Sequence, residues 1–382
     1  MWNKSTARKI AVLLAGFAAV NIFVSFIVLR KNLNNPHLDE GPKGLMLTKN
    51  SRNVLVHNGI ASHHRLNMKI GGPLGEFYLF QSLIAALKTI KGLNVVVASN
   101  AEEVEAAFKE HYPFWRVYTE LAYATEQVRA LVDKEKCSFR FIDFWGVSNA
   151  GNDRVAQSPL KHVFTPYNNS YNFFLGYITN QVPTSLIPKW KLGQESYPEK
   201  IQLLVWGKEW RYFTNVPNVF DLFKKIKDRF NADIVTTIRD AEGKSEPDFI
   251  KSYGIVDKHG WSKLLAESTL IMGLGDPVIG PTVFEAVGAG CIYLDPIKDP
   301  PQILHMNPEM QLTSQHHYAN ETLGGEPYVY QIKIDDHNQV LEAIERALKN
   351  RHKVRPFIPE DYKIESVAKR LRDELEIDDC NH

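Results

Sequence analysis

The chain's densest chemistry lies between Ile271 and Pro296, where Gly273, Gly275, Gly280, Pro281 and Glu285 fall within one short stretch. The residues read as a buried strand, a Gly/Pro-rich turn, a short helix with Glu285 in its first turn, and a second strand. Proline suits the start of a helix, where its missing N–H would have no partner anyway. Backbone N–H groups and the positive end of a helix dipole then face one crevice, an arrangement that suits a diphosphate. The Glu285 carboxylate is placed to accept hydrogen bonds from sugar hydroxyls, the plainer alternative being compensation of the helix dipole. Turns of this kind also occur in α/β proteins that bind nothing there, so the pattern alone leaves both readings open.

Two further charged residues follow strand-like or glycine-rich runs. Lys208 comes just past Val205-Trp206-Gly207 and would neutralise a diphosphate as a point charge. Glu76 follows Gly71-Gly72-Pro73-Leu74-Gly75 at the start of a predicted helix. A helix amino terminus keeps a carboxylate ionised, as a general base requires, although acids are common in first turns for the dipole alone. His316 and His317 are adjacent and cannot share a helix face, which argues against a metal pair. The chain has no Asp-x-Asp triplet to present a metal to a nucleotide sugar, so no metal and no other cofactor is expected. Trp145, Trp206 and Trp210 are candidates for stacking on sugar rings, with core packing the alternative. His57, at a strand end, is read as a satisfied core histidine.

These residues need a scaffold, and the pattern supplies one. Val54–His57, Leu93–Ala98 and Phe139–Phe144 read as strands, with helices over 76–90 and 101–111 between them. After a looser region from Ser158 to Tyr197 the alternation restarts, with strands at 202–206, 232–238 and 292–295 and helices at 219–230, 261–268, 340–350 and 364–375. Strands alternating with helices predict α/β architecture, with two doubly wound, Rossmann-like domains of parallel strands. We place them at 52–190 and 191–382.

Ile10 to Leu29 is a 20-residue run broken only by Asn21 and Ser25 among strongly polar types, long enough to span a bilayer as a helix. It exceeds a cleavable signal core and lacks an A-x-A site, so a signal anchor over 10–29 is expected, with a cytosolic tail at 1–9 and a short stem at 30–51. Sequons at Asn168 and Asn320 fit a lumenal remainder. The formal net charge of +1 gives no support for a nucleic-acid partner. The three cysteines, Cys137, Cys291 and Cys380, allow at most one disulfide, and Cys291 reads as a buried, inert thiol.

The run Leu312-Thr-Ser-Gln-His-His-Tyr-Ala319 resembles a signature of the family 18 glycosyltransferases. Gly71-Gly-Pro-Leu-Gly-Glu76, Val205-Trp-Gly-Lys208, Gly273-Leu-Gly275, Gly280-Pro281, Phe284-Glu-Ala286 and Gly290-Cys291 match in the same order. The resemblance implies the two-domain GT-B architecture, with the final helix crossing back to the first domain. It also implies an inverting, metal-independent transfer of N-acetylglucosamine from UDP-GlcNAc to the 6-hydroxyl of a mannose in an N-glycan, in the Golgi lumen. Glu76 would then be the general base, flanked on the acceptor side by Gly71 and Gly72. Gly207, Lys208, Gly273, Gly275, Gly280, Glu285, Gln315 and His316 would line the donor site. The chain departs from the family at Val278-Ile279-Gly280-Pro281, where the pattern reads Tyr-Glu-Gly-Pro. It also has few cysteines and a short stem, and the segment before Thr165-Pro166 is reduced. Those departures bear on donor recognition at Ile279 and on the identity of the acceptor.

Overall fold

Long apolar runs bounded by turns set the architecture. The computed structural model describes residues 52–63, 74–132, 134–148, 158–207, 209–238, 246–304 and 307–377. The expected anchor at 10–29 and stem at 30–51, together with Gly71, Gly72, Lys208 and Cys380, lie outside the described residues. No helix among the described residues is long and apolar enough to cross a membrane.

The first half runs β1 (Arg52–His57), α1 (Gly59–His63), α2 (Leu74–Thr89), β2 (Leu93–Ala98), α3 (Ala101–His111), β3 (Arg116–Thr119), α4 (Glu126–Val132), β4 (Phe139–Ile142), β5 (Val163–Thr165) and β6 (Phe173–Phe174). All six strands are parallel, in the order β2-β1-β3-β4-β5-β6. Strand β1, flanked by β2 and β3, is apolar on both faces because helices cover both sides of a parallel sheet, and Val54, Leu55 and Val56 are fully buried. Helix α2 buries Leu79, Phe80, Leu83, Ala86 and Leu87, the three-and-four spacing of one helical face. Asn100 caps α3 by accepting a 3.0 Å hydrogen bond from the Glu103 N–H.

The second half runs β7 (Ile201–Trp206), α5 (Trp210–Thr214), α6 (Val219–Phe230), β8 (Ala232–Thr236), β9 (Ile250–Ser252), α7 (Lys258–Glu267), β10 (Leu270–Gly273), α8 (Thr282–Gly288), β11 (Ile292–Leu304), β12 (Asn307–Ser314), α9 (Ala319–Leu323), β13 (Val329–Ile332), α10 (His337–Asn350) and α11 (Ile364–Leu375). Its sheet follows β12-β11-β10-β7-β8-β9, with β13 also on β11, and only the β11–β12 pair is antiparallel.

Several strands depart from the expected pattern. β3 separates β1 from β4, so Phe139–Ile142 is the fourth strand rather than the third; the charge of Arg116 breaks the apolar run that would have marked β3. The region expected to be loose from Ser158 contains β5 and β6. The strand expected to end at Asp295 continues to Leu304 through Pro296, Pro300 and Pro301, and pairs with β12 across register shifts near Ile297/Gln302 and Ile303/Leu304. Prolines argue against a regular strand, and such irregularities are where a ladder accommodates them.

The last helix, α11, returns to the first sheet. Glu374 accepts from Arg140 Nε at 2.5 Å, Arg116 Nε at 3.3 Å and Tyr118 Oη at 3.0 Å, all four side chains being almost fully buried. Just ahead of α11, Tyr362 stacks on Phe284 of α8 with ring centroids 4.4 Å apart.

Candidate functional site

In a doubly wound sheet, ligands bind beyond the carboxyl ends of the strands, where the strand order reverses direction. In the second sheet that point lies between β7 and β10. Gly273, the last residue of β10, pairs with Trp206, the last residue of β7. Gly207 and the Gly273–Pro281 turn therefore leave the sheet side by side. In the first sheet the reversal lies between β1 and β3, where His57 pairs with Thr119. Glu76 stands in the first turn of α2, the helix that follows β1 and α1.

The side chain of Gln315 holds the turn in shape. Gly275 N–H donates to Gln315 Oε1 at 2.8 Å, and Gln315 Nε2 donates to the Pro277 carbonyl at 2.9 Å. The Ile279 N–H donates to the Gln315 carbonyl at 2.9 Å. A Cβ on Gly273 would stand 1.9 Å from Gln315 Oε1, so no larger residue fits without dislodging that amide. Gly275 adopts φ +91°, the region that favours glycine. Gln315, expected to line the donor pocket, thus acts as the frame of the turn.

Ile279 takes φ +45° while almost fully buried. A β-branched residue there is strained. Its N–H is held by Gln315 and its carbonyl accepts the Tyr167 hydroxyl.

Lys298 is a site residue that the sequence reading missed. Its ammonium lies 3.4 Å from the point a Gly275 Cβ would occupy. Burial pushes its pKa down, while the charges of Asp276 and Asp295 pull it back up. This cation therefore stands beside the turn, within electrostatic range of both carboxylates. Helix α8, by contrast, has only seven residues and no side-chain cap, which makes its dipole a weaker anion partner than expected.

His316 is fully buried, packed edge-on against Tyr167 at 5.4 Å and Phe284 at 5.3 Å. Burial lowers its pKa to about 3, so it is a neutral core imidazole. The backbone N–H of His316 donates to Asp295 Oδ1 at 3.0 Å, which also accepts the Tyr293 hydroxyl at 2.9 Å. Burial raises Asp295 to about 6. Tyr167 stacks on Tyr318 with centroids 4.6 Å apart and meets Tyr177 edge-on at 6.0 Å. This aromatic cluster joins the two halves beside the turn, and its members lie too far apart in sequence to be grouped by pattern.

Glu285 is 6% exposed and already engaged. Oε1 accepts from Tyr78 Oη at 2.6 Å and Asn180 Nδ2 at 3.2 Å, and Oε2 accepts from Trp261 Nε1 at 3.0 Å. Burial raises its pKa, opposed by those three donors and by Lys258. Glu76 is partly exposed. Burial raises the Tyr123 phenol most, followed by Glu120, with Glu76 adding to both that shift and the one at Tyr167. The base candidate therefore sits within electrostatic range of the inter-half cluster.

Of the tryptophan candidates, Trp145 is partly exposed and meets Phe144 edge-on at 5.3 Å. Trp206 is buried edge-on to Tyr293 at 6.3 Å, and Trp210 stacks on Phe213 at 6.3 Å. His57 Nδ1 lies 3.0 Å from Thr119 Oγ1, and burial lowers its pKa to about 4. Cys137 and Cys291 are free thiols, and burial raises the Cys291 pKa as expected for an inert group. Among the described residues no group of three His, Cys, Asp or Glu side chains is placed to hold a metal ion.

Comparison with known proteins bears on this arrangement. The model of glycosyltransferase family 18 matches residues 42–381. The human alpha-1,6-mannosylglycoprotein 6-beta-N-acetylglucosaminyltransferase A is 24% identical, over 87% of this chain and 49% of the relative. The Caenorhabditis elegans alpha-1,6-mannosylglycoprotein 6-beta-N-acetylglucosaminyltransferase is also 24% identical, over 83% of this chain and 53% of its own length. The chain thus spans about half the length of these curated relatives. Among solved structures, a presumed UDP-N-acetylglucosamine 2-epimerase from Listeria monocytogenes superposes with a TM-score of 0.50 at 11% identity. That match covers 85% of this chain and 95% of the other, a likeness of fold alone.

Proposed function

From the premise that the chain belongs to glycosyltransferase family 18, we propose that it is an inverting transferase of GT-B architecture. It moves N-acetylglucosamine from UDP-GlcNAc to the 6-hydroxyl of a mannose in an N-glycan. Glu76 takes the proton from that hydroxyl as its oxygen attacks the anomeric carbon, and UDP leaves from the opposite face. The leaving diphosphate lies against the Gly207 and Gly273–Pro281 edge, and Lys298, with Lys208, meets its growing charge. No metal takes part. The protein works in the Golgi lumen on glycoprotein glycans, held by a single-pass anchor at 10–29.

The observation that carries this reading is the placement of the two motifs. Gly207 and Gly273 end adjacent strands at the strand-order reversal of one sheet, and Glu76 opens the helix that follows β1 at the reversal of the other.

The test is to incubate the purified protein with UDP-GlcNAc and a GlcNAc-terminated biantennary N-glycan in EDTA, then to analyse product mass and linkage. A gained β1,6-linked GlcNAc is expected. Glu76→Gln should lose about 10²–10⁴-fold in kcat with UDP affinity kept. Transfer that needs a divalent metal, or that survives Glu76→Gln, would refute the mechanism.

Ile279, standing where the family pattern has an acid, favours one second reading: a relative that binds nucleotide sugar or glycan without turnover. Saturable UDP binding with no transfer to any acceptor would select it.

A further inference from the structure

Two residues of the glycine-rich turn hold a left-handed backbone. Gly275 does so at φ +91°, at no steric cost to a residue that lacks a Cβ. Ile279 does so at φ +45°, where a β-branched side chain crowds its own backbone. Strain of this kind persists only when the surroundings over-determine it. At Ile279 a hydrogen bond sits on each side of the residue. Its N–H donates to the Gln315 carbonyl at 2.9 Å, and its carbonyl accepts the Tyr167 hydroxyl. Gln315 follows β12 in the same half of the protein. Tyr167 belongs to the other half, two residues beyond the end of β5.

Tyr167 is itself firmly placed. Thr165 Oγ1 donates to the Tyr167 carbonyl at 2.8 Å, and Pro166 restricts the backbone between them. The residue is 2% exposed, its ring stacked on Tyr318 at 4.6 Å and edge-on to His316 at 5.4 Å. The hydroxyl is therefore a fixed donor, and what it fixes is the peptide between Ile279 and Gly280. Gly280 lies close against Trp206, since a Cβ there would stand 2.8 Å from the indole. A change of direction at Ile279 would push Gly280 into that indole or away from it. We infer that Tyr167 is a positioning residue for the donor turn: its hydroxyl, supplied by the first half, holds Ile279 in the left-handed conformation that shapes the Gly273–Pro281 edge. The inference rests on the reading of that edge as the diphosphate site. Without the hydroxyl, Ile279 relaxes in a share of the molecules, and UDP affinity falls by that share.

The test is a double-mutant cycle on the whole protein with Tyr167→Phe, Ile279→Gly and the pair. UDP affinity is measured by calorimetry, KM for donor and acceptor separately, and stability by urea unfolding. Tyr167→Phe keeps the ring and removes one hydrogen bond, so UDP affinity should fall about tenfold and donor KM rise in step. Acceptor KM should stay within about twofold, because the change acts on the donor turn. Glycine adopts φ +45° without strain and needs no clamp. Within the Ile279→Gly background, adding Tyr167→Phe should therefore change UDP affinity by less than about twofold, the coupling that a cycle detects. A merely structural hydroxyl would lower the urea midpoint and leave UDP affinity alone.

Unchanged UDP affinity in Tyr167→Phe overturns the inference. So does a loss that is equally large in the Ile279→Gly background, because the hydroxyl would then not act through the strained residue. If the unaltered protein binds no UDP, the reading of the turn fails on its own, and the clamp is judged by stability. A fall in the urea midpoint on Tyr167→Phe that vanishes in the Ile279→Gly background supports it. Equal falls in both backgrounds, or none, overturn it.

Discussion

Two buried glutamates join the halves of this protein, and their charges are compensated by opposite means. Glu374 lies between the guanidinium groups of Arg116 and Arg140, with a tyrosine completing the set. Glu285 has only neutral donors in direct contact, from Tyr78, Asn180 and Trp261. Removing one partner of a buried ion pair strands the other charge in a poor solvent. Neutral donors leave no such residue behind, and a carboxylate among them is itself disfavoured by burial, as the raised pKa of Glu285 indicates. The first joint is therefore a permanent fastening. The second is one whose strength can be altered at little cost to the fold, which suits a place beside a reacting centre.

The largest effect should come from the charged joint. Glu374→Gln leaves two buried guanidinium groups uncompensated and should cost about 3–5 kcal/mol, read as a fall in the urea midpoint. A loss below about 1 kcal/mol would erase the distinction between the joints.

Acid should sharpen it next. His57 has its folded pKa lowered to about 4, so the unfolded chain takes up the proton first. The stability it supports is whole above about pH 6.5 and is lost as pH falls toward 4. His57→Gln should remove about 3 kcal/mol of that acid loss, measured by unfolding at pH 7 and pH 4.

Lys298 is a charge of intermediate kind, half-buried and facing the turn. Lys298→Ala should weaken UDP binding about tenfold, roughly 1.4 kcal/mol, by calorimetry. Unchanged affinity would remove it from the donor site.

The smallest effect belongs to the neutral joint. Because the Glu285 pKa is raised, the stability it supports is whole below its unfolded pKa and declines as pH rises through the folded one. Glu285→Gln removes that decline, so unfolding at pH 7 should differ by less than about 1 kcal/mol.

Sequence pattern located what is local. The helices at Ala101–His111, Val219–Phe230 and Ile364–Leu375 are legible because amphipathic spacing is written within a dozen residues. β3 was not, since Arg116 looks like a surface residue until Glu374, 258 positions away, neutralises it. The same distance effect hid the engagement of Glu285, whose Tyr78 partner is 207 positions away. Lys298 escaped notice because the prolines around it mask an extended strand. The glycines of the turn were legible because close approach excludes every other residue type. Their geometry was not, because it depends on one amide from Gln315, 40 positions on.

The return of α11 to the first sheet has a consequence for biosynthesis. Arg140 and its counter-ion Glu374 are separated by 234 positions. At roughly 5–20 residues per second, the ribosome delivers that counter-ion about 10–50 seconds after the strand that needs it. Until then the first sheet holds two cations at positions that the finished protein seals from water. The nascent half must keep that edge open to solvent, so its final packing waits for α11.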